Sequence, residues 1–93
     1  MTVRVRLPEP LRAFADGERD IAVEGASTVR AVFARLAETH PGVRHRVLTE
    51  TGDVRPHVNV YVGDENIRYL KGLDSPVRDG DTVFVLPAVS GGQ

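Results

Sequence analysis

The sequence predicts an α+β fold in which a mixed sheet carries one long helix across one face. Three observations predict it. Short stretches of alternating apolar and polar residues recur toward both ends of the chain, and a single helical stripe lies between them. The last strand-like stretch is apolar on both of its faces, as a central strand is. The chain has 93 residues, enough for one domain and too few for two, and shows no repeats, linkers or low-complexity tracts.

Each element follows from its local pattern. From Thr2 to Leu7 the residues Val3, Val5 and Leu7 fall on one face and Arg4 and Arg6 on the other, a half-buried strand. Pro8 and Pro10 cannot donate to a ladder and end it. Leu11 to Ala15 is expected to be a loop or single turn, and Asp16-Gly17 a turn. A second strand, Arg19 to Glu24, turns Ile21 and Val23 inward and forms a hairpin with the first. The clearest element is a helix from about Thr28 to Thr39, where Val29, Val32, Phe33, Leu36 and Ala37 make one stripe. Ser27 or Thr28 supplies its N-cap, and His40-Pro41-Gly42 stops it. One stripe implies one packing partner, and the sheet is the candidate. Val43 to Val54 is polar with Val47 and Leu48 embedded, a short second helix ending at Thr51-Gly52-Asp53.

Strands then return. His57 to Val62 places Val58, Val60 and Val62 inward and His57, Asn59 and Tyr61 outward. Gly63-Asp64-Glu65 turns into a short strand at Asn66-Ile67-Arg68. Tyr69 to Asp81 is irregular, closing with the turn Arg78-Asp79-Gly80-Asp81. Thr82 to Leu86 is the last strand, with Val83 and Val85 on one face and Phe84 and Leu86 on the other. The order β, β, α, β, short β, β is satisfied most simply by placing the first and last strands side by side and parallel. That architecture is the β-grasp, or ubiquitin-like, roll. Its domain is expected over residues 1–89, with residues 90–93 as a flexible tail.

Composition removes most chemistries. Twelve basic and thirteen acidic side chains leave a formal charge of −1, so neither nucleic acid nor an anionic membrane is an expected partner. The absence of cysteine excludes disulfides, thiolate metal sites and thiol nucleophiles. No apolar run reaches membrane length and the N-terminus has no signal-like segment, so a soluble cytoplasmic protein is expected. His40, His45 and His57 lack metal-ligand spacing, and the carboxylates lie mostly in turns that explain them. Ser90 has no base near it in the pattern. The chain is not expected to be an enzyme by itself, nor to bind a metal.

What remains is Gly91-Gly92, which follows a strand that fixes its starting point. One reading is an end with nothing to hold it. The other is a reactive arm: glycines without Cβ can thread a channel too narrow for other residues, and a glycine carboxylate is unhindered toward attack.

The stretch His57-Val58-Asn59-Val60-Tyr61-Val62-Gly63-Asp64-Glu65-Asn66-Ile67-Arg68, followed by Val77-Arg78-Asp79-Gly80-Asp81-Thr82-Val83-Phe84-Val85-Leu86-Pro87-Ala88-Val89-Ser90-Gly91-Gly92, resembles the MoaD/ThiS family of sulfur carriers. Within that family it is most similar to the CysO type used in cysteine synthesis. The likeness extends to the Val3/Val5/Leu7-Pro8 opening and the helix from Thr28 to Pro41. The resemblance implies that an E1-like enzyme spends ATP to adenylate the Gly92 carboxylate, and that a persulfide donor then converts it to a thiocarboxylate. It implies delivery of that sulfur to a biosynthetic enzyme carrying PLP, and release of the product by a zinc-dependent metalloprotease. ATP, PLP and zinc belong to those partners, and this chain holds no cofactor. Gln93 departs from the pattern because it follows Gly92, so its removal before loading, by a JAMM-type metalloprotease as the resemblance implies for such extensions, is expected. The partner-binding patch is expected on the sheet face opposite the helix, with Phe84, Leu86 and Tyr61 at its centre and Arg4 and Arg6 nearby. Two other readings stand beside the carrier: a molybdopterin synthase small subunit whose tail enters a large subunit, and a non-covalent β-grasp interaction module with an inert tail.

Overall fold

Five strands and two helices form in the expected order. The computed structural model describes residues 1–87. Strands β1 (Thr2–Arg6) and β2 (Asp20–Glu24) are an antiparallel hairpin; α1 (Val29–Thr39) and α2 (Pro41–Val47) follow; β3 (Val58–Val62), β4 (Glu65–Asn66) and β5 (Thr82–Pro87) complete the sheet. The sheet order is β2-β1-β5-β3-β4. The pairing that closes the roll is parallel, with Arg4, Val5 and Arg6 opposite Thr82, Val83 and Phe84. On its other side β5 runs antiparallel to β3, from Val58 opposite Pro87 to Val62 opposite Val83. The predicted central last strand and the β-grasp roll are both present.

The alternation sets the layers. Val3, Val5, Ile21, Val23, Val58, Val60, Val83 and Val85 are buried on the inner face, and α1 adds Val29, Val32, Phe33 and Leu36 to the same core. Ala37, at the margin of the stripe, is half-buried. The Thr28 side chain accepts a hydrogen bond from the Ala31 amide at 3.1 Å, which settles the cap in favour of Thr28 over Ser27.

Four local expectations are corrected. Residues Glu9–Ala15 form a two-turn 3₁₀ helix instead of a loop or single turn, closed by Asp16 in the left-handed conformation at φ 55°. The prolines at its start cost nothing there, because first-turn amides have no internal acceptor to lose. Pro41 behaves the same way: it ends α1 and opens α2, so the second helix begins at Pro41 and is over by Val47, well before Thr51. The sheet is therefore not the only partner of α1, which also packs on α2. The short strand lies at Glu65–Asn66, one step earlier than predicted. The Asn66 side chain accepts from the Arg68 amide at 2.9 Å and starts a 3₁₀ turn, Ile67–Tyr69, which takes the chain off the ladder. Finally, β5 includes Pro87, which sits opposite Val58 rather than leaving the sheet.

The irregular stretch before β5 is anchored by one polar residue. Ser75 is fully buried; its hydroxyl donates to the Gly72 carbonyl at 2.6 Å and accepts from the Lys71 amide at 3.0 Å. The next turn is tied to β1. Thr2 donates its amide to Asp79 Oδ1 at 2.8 Å, Gly80 donates to the Thr2 carbonyl at 2.8 Å, and Arg4 donates to the Asp81 carbonyl at 3.0 Å.

Ser75→Ala leaves the Lys71 amide without its acceptor and is expected to cost about 1–3 kcal/mol, whereas Thr28→Ala loses a cap worth about 1 kcal/mol. Urea midpoints of the two variants check this; a Ser75→Ala midpoint equal to the parent's would show that the hydroxyl anchors nothing.

Candidate functional site

The face of the sheet away from α1 carries all five residues expected in a partner-binding patch. Parity in the ladders puts Arg4 and Arg6 of β1, Tyr61 of β3, and Phe84 and Leu86 of β5 on that side. Asp20, Arg6, Phe84, Tyr61 and Asn66 make one cross-strand row, and Leu86 lies opposite Asn59. Leu86 is 43% exposed, while Phe84 and Tyr61 are half-buried.

The two arginines are not alike. Arg6 Nε and Nη2 donate to Asp20 Oδ1 and Oδ2 at 2.8 and 3.3 Å, and the same guanidinium stands 5.8 Å from the Phe84 ring centroid. The Arg6 hydrogen bond holds the Asp20 carboxyl below its ordinary range, partial desolvation opposes the shift, and the charges of Arg6, Arg19 and Arg4 add to it. Arg6 is correspondingly raised, chiefly by its bond to Asp20. Arg6 is therefore a neutralised edge to the Phe84 ring. Arg4, exposed between Ala22 and Thr82, keeps its charge toward solvent.

Strand β5 ends at Pro87. Gly91, Gly92 and Gln93, the residues expected to do the chemistry and the processing, lie outside the described residues, as do Ala88 and Val89 at the predicted domain boundary. Pro87, the last described residue, borders a feature that the sequence did not reveal. A groove of about 220 Å³ runs between Leu11 and Phe14 on the 3₁₀ helix and Leu86 and Pro87 on β5. It adjoins a cavity of about 290 Å³ lined by His45, Arg46, Arg55 and His57, and Arg46 and His57 belong to both. The Arg46 guanidinium stacks 4.5 Å from the Phe14 ring centroid. Arg55 is set by its Nε, which donates to the His45 carbonyl at 2.9 Å. The available signal was Leu11 and Phe14 at a spacing of three, one side of a 3₁₀ helix, and reading that segment as a loop concealed it.

Among the described residues no group of three or more His, Asp or Glu side chains is placed to hold a metal ion. Among the same residues no helix is long and apolar enough to cross a membrane.

A β-grasp domain with its last strand in the middle of a mixed five-stranded sheet defines a ubiquitin-like protein. This chain belongs to the ThiS family, whose model matches residues 5–92. The sulfur carrier protein CysO of Mycobacterium tuberculosis is 36% identical over 94 residues, spanning 99% of this chain and all of that protein. The crystal structure of the Amycolatopsis orientalis BexX/CysO complex contains a chain that matches with a TM-score of 0.87 and 38% identity, over 97% of this chain and 99% of that one. The crystal structure of M. tuberculosis CysO matches with a TM-score of 0.86 and 35% identity, over 94% and 99% of the two chains.

The sign of the Asp20 shift fixes a pH dependence. A carboxyl lowered in the folded state stabilises above its ordinary pKa near 4 and loses that contribution as the pH falls through the folded value. Asp20→Asn is therefore expected to lower the unfolding midpoint slightly at pH 7, with the gap to the parent closing toward pH 3. Midpoints measured across that range, at low and at high salt, check it; a gap that persists at pH 3 would assign the loss to packing instead of charge.

Proposed function

We propose that this protein is a sulfur carrier whose C-terminal glycine, Gly92, is the loaded atom's mount. The observation that supports the reading most is the placement of β5: it lies in the middle of the sheet, hydrogen-bonded on both sides, and leads directly into residues that end in Gly91-Gly92. The family match through residue 92 and the full-length likeness to CysO proteins agree with it.

The chemistry runs through the partners. Residues after Gly92, beginning with Gln93, are removed by a JAMM-type metalloprotease that supplies its own zinc. An E1-like enzyme joins the freed Gly92 carboxylate to AMP with loss of pyrophosphate, and the persulfide sulfur of a donor displaces AMP from the acyl carbon. A thiol then cleaves the resulting acyl disulfide and leaves a thiocarboxylate. Sulfur is the softer and stronger nucleophile of the two heteroatoms, so the arm carries reactive sulfide without releasing it. The acceptor is a biosynthetic enzyme, in the CysO-like case one that would use PLP of its own on the way to cysteine. This chain contributes no catalytic group; it presents an acyl carbon on a backbone that has no side chains to obstruct a channel.

The open sheet face is the proposed docking patch, with Leu86 and Phe84 as its apolar centre and Tyr61, Arg4 and the Arg6–Asp20 pair around them. The Amycolatopsis structure, in which a CysO chain is held in a complex, supports such a use of the fold.

Intact-protein mass spectrometry in cell extract supplemented with ATP and a sulfur donor tests the reading. The expected product ends at Gly92 and has one oxygen replaced by sulfur; Gly92→Ala is expected to lower its yield by at least tenfold. A chain that keeps Gln93 while the pathway operates would end the proposal. Separately, Leu86→Asp is expected to weaken binding to the loading enzyme about tenfold or more while leaving the urea midpoint within about 0.5 kcal/mol of the parent's, because Leu86 is already exposed. An unchanged thiocarboxylate yield would remove Leu86 from the patch.

A further inference from the structure

The apolar groove and the cationic cavity at the end of β5 share Arg46 and His57, and no carboxylate lines either of them. Elsewhere among the described residues four arginines meet acids, Arg6 and Arg19 at Asp20, Arg30 at Asp74 and Arg35 at Glu38, while Arg4, Arg12, Arg44, Arg68 and Arg78 form no ion pair there. Arg46 and Arg55 engage an aromatic ring and a backbone carbonyl, pair with no described carboxylate, and line one cavity together. Basic residues in the last turn of α2 suit the helix dipole, but that accounts for Arg46 and not for Arg55, which lies outside the helix.

We infer that this pair of cavities docks an acidic segment of the partner protein that takes up the arm: one apolar side chain in the groove beside Leu11 and Phe14, followed by carboxylates on Arg46 and Arg55. The inference deepens the carrier reading and rests on it for the partner's position. The five residues from Ala88 to Gly92 reach at most about 18 Å when extended. A partner that holds Gly92 in its active site must therefore stand within that distance of Pro87, which borders the groove. A bare phosphate would satisfy the arginines and leave the apolar groove empty, whereas an apolar peptide alone would leave two arginines facing nothing. An acidic peptide with an apolar lead residue satisfies both.

The test is titration of the full-length ¹⁵N-labelled chain with acetyl-Phe-Glu-Asp-Glu-amide, followed by NMR. The expected shifts centre on Leu11, Phe14, Arg46, Arg55 and His57, with affinity reduced at least tenfold by Arg46→Glu and several-fold by Phe14→Ala. The spectrum itself reports that each variant is folded, and Arg46→Gln gives an intermediate loss. Equal binding of acetyl-Phe-Gln-Asn-Gln-amide, or inorganic phosphate binding as tightly as the peptide, would overturn the inference. So would peptide shifts confined to the open sheet face, or no shift at millimolar peptide. If Phe14→Ala or Arg46→Glu moves the resonances of residues 88–92 without any peptide, the chain's own arm is the occupant and the inference also falls. Failure of peptide binding with Gly92 still converted to thiocarboxylate rejects this site alone; peptide binding with Gly92 never loaded rejects the carrier reading alone.

Discussion

The parallel pairing of β1 with β5 is the constraint on which the rest depends. Two strands from opposite ends of the chain lie side by side, and Val5 and Val83, adjacent in that register, are both fully buried. A parallel pair cannot be closed by a tight turn, so the chain between must cross over, and α1 with its apolar stripe is that crossover. The turn Asp79-Gly80-Asp81 fixes where the pairing starts, because its backbone and the Asp79 carboxylate hydrogen-bond to the first residues of β1. With the register set there, Val83 and Val85 face the helix while Phe84 and Leu86 face outward. One residue of slip would exchange the two sets. The same pairing puts β5 in the middle of the sheet: Thr82, Val83 and Phe84 lie between β1 and β3, and Val85, Leu86 and Pro87 continue along β3.

The parts legible in the sequence were those in which a period is imposed by burial. Val3/Val5/Leu7, Val58/Val60 and Val83/Val85 alternate because each strand has one buried face, and Val29/Val32/Phe33/Leu36 repeats because α1 has one buried stripe. The outward set followed from the inward one, which is why all five predicted patch residues share a face. What was not legible involves residues with two meanings. Pro10 and Pro41 forbid the interior of a helix and favour its first turn, and a sequence shows the prohibition more readily than the preference. Asn66 can sit in a ladder or cap the turn after it, and the Arg68 amide decided for the cap. Ser75 reads as an ordinary loop residue; only its burial turns its two hydrogen bonds into an anchor.

Charge was the least legible quantity of all. Arg4 and Arg6 stand in the same pattern on the same strand, yet one meets Asp20 across the hairpin and the other does not. A strand's alternation gives the face of an arginine and says nothing about which acid the neighbouring strand will bring opposite. Beside the end of β5 the reverse holds: Arg46 and Arg55 come from α2 and from the segment before β3, and nothing in their sequence contexts joins them until the fold does. The overall charge of −1 thus conceals an outward face on which one arginine is neutralised and a basic corner beside the exit of β5.

This division has a physical consequence for how such a protein is recognised. An arm ending in Gly91-Gly92 offers a partner only backbone hydrogen bonds, which every diglycine end presents alike, and it loses much conformational entropy when threaded. In the proposed carrier role such an end would place an acyl carbon and supply little affinity or discrimination between partners. Both would then come from the proposed surfaces around the end of β5: the apolar centre at Leu86 and Phe84 on one side, and the basic corner at Arg46 and Arg55 beyond it. Because Leu86 borders both surfaces, a partner that engages one is positioned to engage the other. In the proposed carrier role, the central placement of β5 would do two things at once, setting the point from which the arm reaches and holding the surfaces that select the enzyme it enters.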